Sequence, residues 1–184
     1  MKEILYADAE IRHFSKDYCK IPMTFVNTGS IAAGAVIGET TDGYGNRVRR
    51  TTLTSNAAAA ATELVVSDVT LFKIGDEVSI MKADGSSVEN LGAITNIIVA
   101  EKKIVPTTPV TAAHAAGSFA YVADGSQKAV GILAEPVIDE GEAVVANVYI
   151  GGCFENNLIT GLDQIAKTEL AARVVAGILI VPGC

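Results

Sequence analysis

Asp124-Gly125-Ser126-Gln127-Lys128-Ala129-Val130-Gly131-Ile132-Leu133-Ala134 is the stretch on which the fold depends. A polar Asp-Gly-Ser turn leads into an uncharged apolar run, Ala129–Ala134. A short apolar run bounded by turn residues reads as a buried strand. Working outward toward the C-terminus, Glu140-Gly141-Glu142 turns the chain into a second strand over 143–150, which Gly151-Gly152 is expected to end. A helix follows, with Thr160 as N-cap and Asp163 completing a capping-box-like pair at the positive end of the dipole. Leu162, Ile165, Ala166, Leu170 and Val174 fall at spacings of three and four and make one apolar stripe, with Asp163, Lys167 and Glu169 facing away. Gly177 is the expected terminator, and Ile178-Leu179-Ile180-Val181 closes the chain as a strand before Pro182-Gly183.

Outward in the other direction lies a segment of different texture. Residues 51–122 read as a separate β module, a small barrel or sandwich of short strands. Strand-like pieces are Glu63-Leu64-Val65-Val66, Glu77-Val78-Ser79-Ile80, residues 93–99, Lys102-Lys103-Ile104-Val105-Pro106 and residues 117–122, with turn signals at Asp84-Gly85-Ser86 and Glu101-Lys102. The alanine run 57–61 is helical by propensity alone, but its flanks argue for strands. Before the module, Asn27-Thr28-Gly29-Ser30 punctuates, Ala35-Val36-Ile37-Gly38-Glu39 extends, and Asp42-Gly43-Tyr44-Gly45-Asn46 turns again. The expected layout is an N-terminal arm over 1–26, a β core from 27–50 and 123–184, and an inserted module over 51–122. The fold class expected is mainly β (β-rich α+β): a small β core with one C-terminal amphipathic helix, plus the inserted small β-barrel or sandwich. Residues 1–26 mix Phe14, Tyr18, Ile21 and Phe25 with charges around Pro22, and admit two readings: an arm that orders against a partner, or a frayed strand entering the core.

Composition narrows the function classes. Hydrophobic residues make up 49% and charged residues 19% of the 184 residues, so an ordered core is expected. Aromatics are 5%, with no Trp; Ala, Val, Ile and Gly carry the hydrophobicity, which suits packed sheets better than deep ligand pockets. The net charge of −7 argues against a nucleic-acid groove, which needs clustered cations. Arg47, Arg49 and Arg50 form the one basic cluster, read as a solvated turn or ion pairs rather than a phosphate site. The acidity serves solubility or discourages nucleic-acid binding. Cys19, Cys153 and Cys184 show no CxxC spacing and are expected as reduced thiols. Neither a signal peptide nor an apolar membrane span is read, so a soluble protein without membrane contact is expected.

In order and spacing, these pieces resemble the lambda-type bacteriophage head decoration proteins. The residues that carry the resemblance are the Asp124-Gly125-Ser126 turn with its Ala129–Ala134 strand, the strand over 143–152 ending in Gly, and Phe154-Glu155-Asn156-Asn157 before the helix. Gly177-Ile178-Leu179-Ile180-Val181 and, upstream, Ile31-Ala32-Ala33-Gly34-Ala35-Val36-Ile37-Gly38 complete the set. The similarity covers somewhat under half of the chain, and residues 51–122 have no counterpart in the small family members. The resemblance implies a virion structural protein made in the host cytoplasm, bound to the outer surface of the capsid. It implies a homotrimer whose partner is the major capsid protein and whose arm adds a strand to that protein's sheet. Phe14, Tyr18, Ile21 and Phe25 are then the candidate capsid-binding arm, and Ala129, Val130, Gly131, Ile132 and Leu133 the candidate core or trimer strand.

Enzyme chemistry is set aside on residue grounds. His13 and His114 lie in different units, and no carboxylate neighbours His114 in sequence. Cys153 after Gly151-Gly152 lacks any identifiable base or oxyanion donor. Asp139, Glu140 and Glu142, and Asp84 beside Gly85, lack the regular alternation of a calcium loop and read as acidic turns. Gly34, Gly38, Gly43 and Gly45 fit neither GxGxxG nor a P-loop and read as turn glycines. No catalytic residue, cofactor or metal is expected. Two competing classes remain. A receptor- or glycan-binding module of a phage head fibre or tail would use Tyr44, Phe72, Phe119 and Tyr121 as platforms. A hydrolase domain is disfavoured by the scarcity of His.

Overall fold

The structure, a computed structural model, describes residues 19–172 and 178–181. It is mainly β, and the chain divides into two units: the chain up to Val48 with the chain from Lys128, and Arg49–Gln127 between them. In chain order the strands are β1 (Cys19–Phe25), β2 (Val36–Glu39), β3 (Gly45–Arg47), β4 (Arg50–Thr52), β5 (Leu64–Val65) and β6 (Glu77–Met81). They continue as β7 (Glu89–Ile98), β8 (Lys103–Pro106), β9 (Phe119–Val122), β10 (Ala129–Leu133), β11 (Val144–Glu155) and β12 (Ile178–Val181). Helix α1 spans Gln164–Ala171.

In the first unit the strand order is β1-β3-β2-β10-β11-β12, and β1 also pairs with β11. That second pairing, from Cys19↔Gly151 to Phe25↔Val144, closes the first five strands into a barrel. The alternation of side chains across a strand then explains the apolar run. Ile37 and Leu133 join Met23, Phe25, Ala146 and Val148 in one cluster inside the barrel. Their neighbours Val36 and Ile132 join Tyr149, Phe154, Ala166 and Leu170 in a second cluster on the outer wall, where α1 packs. With both faces of β10 covered, no polar residue is tolerated between Ala129 and Ala134. Each large aliphatic or aromatic side chain buried this way stabilises by about 1.5–3 kcal/mol.

The structure departs from the local sequence pattern at three points. Gly151-Gly152 does not end its strand: β11 runs on to Glu155, pairing with β1 and β10 up to Gly151 and in parallel with β12 from Gly152 onward. Gly152 adopts a φ of 137°, which bends the strand from one set of partners to the next. The helix cap is Asp163, whose carboxylate accepts the Ala166 N–H at 2.7 Å. Thr160 does not cap, because the helix begins only at Gln164, and Thr160 is already engaged upstream: its N–H donates to Gly34 O and its carbonyl accepts from Val36 N–H. Glu169 does not simply face away: its carboxylate accepts the Ala129 N–H at 2.9 Å, tying α1 to the start of β10. The Gly177 terminator and the Pro182-Gly183 ending lie outside the described residues.

The second unit is a curled sheet of order β4-β9-β6-β7-β8-β5, each pair antiparallel. An isolated bridge, Leu53↔Val66, joins the ends of its two outermost strands. Its core gathers Leu53, Leu64, Val66, Phe72, Val78, Ile80, Leu91, Ile94, Ile104 and Val122. The alanine run forms no helix: Ala57 is bridged to His114 and Ala60 turns with a φ of 66°. This unit begins at Arg49 and ends at Gln127. Those limits lie outside the turn signals that suggested 51–122, because Arg49 pairs its backbone with Val122 and its side chain with Asp124.

Candidate interaction surface

The residues singled out from the sequence separate into wall, core and undescribed groups. Phe14 and Tyr18 lie outside the described residues, as does His13. Ile21 stands opposite Val148 in β1, half-buried. Phe25 is a core side chain at 1% exposure. Its ring packs on Gly45, where an added Cβ would lie 2.5 Å from Phe25 Cε1 and 3.0 Å from Met23 Sδ. Phe25 therefore serves the barrel interior, which corrects its assignment to a partner-binding arm. Pairing along all of β1 is what consumes it. Gly38 and Gly45 are strand residues rather than turn residues, whereas Gly34 and Gly43 do turn, with φ near 82° and 83°.

Ala129 to Leu133 form β10, flanked by β2 and β11. Gly131 lies tight against β11: a Cβ there would meet Val148 Cγ1 and come within 2.5 Å of Tyr149 O. The outer face of the β1–β11 ribbon is more open, with Val145 exposed opposite Thr24, and Pro22 and Asn147 exposed beside them. Lys20 lies over the Tyr149 ring, 4.6 Å from its centroid. Cys19 is exposed and reduced.

The polar candidates resolve into structural roles. Arg49 is 9% exposed and is shared by two carboxylates, Asp76 and, at 3.2 Å, Asp124; its Nε donates to Leu71 O. Arg50 donates to Gln127 O at 2.9 Å and lies 5.6 Å from the Phe119 ring centroid. Both guanidinium groups are thus committed to the unit's own backbone and side chains. Asp139 organises a turn by accepting from Gly29 N–H at 2.7 Å and Gly141 N–H at 2.9 Å. The Ser86 hydroxyl and N–H hold the Asp84 carboxyl below the usual carboxylate range. No group of three or more His, Cys, Asp or Glu side chains suited to a metal ion occurs among the described residues.

His114 has the carboxylate partner that its sequence neighbours lack. Its ring is 1% exposed, with Nε2 3.5 Å from Glu89 Oε2. That distance is too long for a hydrogen bond, and neither ring nitrogen has one. Glu89 instead accepts the Thr111 and Ala112 N–H groups, pinning the loop that carries His114. Burial pushes the Glu89 carboxyl upward, but the bonds from Thr111 and Ala112 outweigh it and hold the group below its ordinary value. Nothing local signals this pairing, since Glu89 belongs to β7 and His114 to a distant loop.

Of the aromatic platforms considered for glycan recognition, Phe72, Phe119 and Tyr121 are buried, and Tyr44 alone is open at 42% exposure. No family model, curated protein or solved structure matches this chain.

Proposed function

We propose that this chain is a virion structural protein that binds the outside of an assembled phage head as a trimer and stabilises the shell. The observation that carries this reading is the pairing of β2 with β10, with Ile132 opposite Val36 and Gly131 opposite Ile37. The two stretches that resemble the decoration proteins, far apart in sequence, are adjacent strands of one barrel. In this reading the residues before Cys19 supply the arm, narrowed from 1–26 because Cys19–Phe25 already pairs with β11. A strand added to the capsid protein's sheet takes its affinity from backbone hydrogen bonds, so the arm's side chains need little specificity. Three arms on one trimer convert later contacts into intramolecular ones and raise avidity by roughly 10²–10⁴ over one arm.

The test is to mix purified protein with expanded, undecorated heads and count bound copies by sedimentation. Saturation at a fixed number per head, with a trimer in analytical ultracentrifugation, is the expected result. Binding to cells or glycans without binding to heads would replace this reading with a receptor-binding one.

A further inference from the structure

We infer that Arg49–Gln127 is a self-contained folding cassette, stapled at its root by Arg49, that opens and closes without unfolding the barrel into which it is spliced. Four observations support this. First, the cassette has its own core, and that core shares no residue with the two clusters of the barrel unit. Second, its sheet is curled until its outermost strands meet at Leu53↔Val66, so it leaves no long unpaired edge waiting for the rest of the chain.

Third, its entry and exit are fastened to each other. Val122 N–H donates to Arg49 O at 3.0 Å, and the Arg49 guanidinium holds Asp124 at the exit and Asp76 beside it. Arg50, next along the entry strand, donates to Gln127 O. A guanidinium held this far from water by two carboxylates and a carbonyl is costly to leave half-partnered, so it acts as a staple at this point. Fourth, the barrel does not need the cassette to bring its own ends together. Val48 donates to Val36 O and Ala129 lies opposite Gly38, so its chain leaves and re-enters on the two sides of β2. Two interstrand spacings separate those points across the sheet, roughly 10 Å.

Native-state hydrogen exchange on the full chain, read peptide by peptide, tests the inference. Arg49→Met removes the cation shared by Asp76 and Asp124, leaving them the bonds from Lys73 N–H and from Ser126, and should speed exchange on the order of 100-fold across 49–127. Rates in β2, β10 and β11 should stay within about 2-fold of the parent protein's. Leu91→Ala, a cavity in the cassette core, should give the same regional pattern without touching the ion pairs. Val148→Ala should give its mirror image, confined to the barrel. Acceleration of both units together in any of the three variants would overturn the proposal.

Discussion

Glycine and carboxylate positions carry sharp constraints in this protein. Gly131 lies between two strands at a point with no room for a methyl group, and the atoms in the way include backbone. Gly131→Ala is expected to cost about 1–3 kcal/mol, measured as a lowered urea midpoint with unchanged slope. Gly85 provides the contrast: it sits in open space with a φ of 81°, so Gly85→Ala meets only backbone strain, about 1–2 kcal/mol, and leaves the core packing intact. Glu89 sets a pH dependence. Its carboxyl is held below the ordinary value of 4.5, so the folded state binds its proton more weakly than the unfolded chain does. The stability this contributes is fully present above that value and is lost as pH falls through the folded-state value. Glu89→Gln should therefore flatten part of the acid limb of the stability curve and cost about 1 kcal/mol at neutral pH, both measurable by denaturant titration at a series of pH values.

Strands and helix are each shaped by what lies beyond their own sequence. β10 reads as continuous apolar residues because the barrel interior takes Leu133 while α1 and its neighbours take Ile132. α1 is short, at eight residues, so its cap matters more than its propensity. Asp163→Ala removes the acceptor for Ala166 N–H and should cost about 1 kcal/mol, seen as faster amide exchange over 164–171. Ala172 is the described C-cap, and its N–H returns to Thr168 O. β11 does three jobs in one strand, and the glycine pair at 151–152 is where it passes from β1 and β10 to β12.

As an assembly, the molecule joins a closed barrel and a curled sheet in one chain, and both designs limit exposed strand edges. Under the proposed function, affinity for a shell then rests on the residues before Cys19 rather than on the barrel wall. A chain starting at Cys19 should keep the barrel's far-ultraviolet circular dichroism, because β1 remains paired with β11. It should bind expanded heads at least about 10²-fold more weakly, the factor that three-armed avidity supplies. Undiminished binding by the shortened chain would place the contact elsewhere on the trimer.

The β-rich class, the strand at Ala129–Leu133, five of the six strands of the middle module and the presence of a C-terminal helix were legible from local patterns. Apolar runs, turn residues and spacings of three and four act over a few neighbours, and a string of residues carries such information directly. β1 had a weaker signal of the same kind, since Ile21, Met23 and Phe25 alternate, but Pro22 and Lys20 obscure it. β3 and β4 carry Asn46, Arg47, Arg50, Thr51 and Thr52, polar residues that become strands only because β2 and β9 lie alongside. Thr160 is a sound cap by composition, yet a bridge to Ala35 takes its backbone first. The closure of the barrel by β1 and β11, the placing of Glu89 against His114 and the staple at Arg49 depended on tertiary structure alone. Each joins residues far apart along the chain, and such contacts form only when the burial of a whole core offsets the entropy of closing the loops between them.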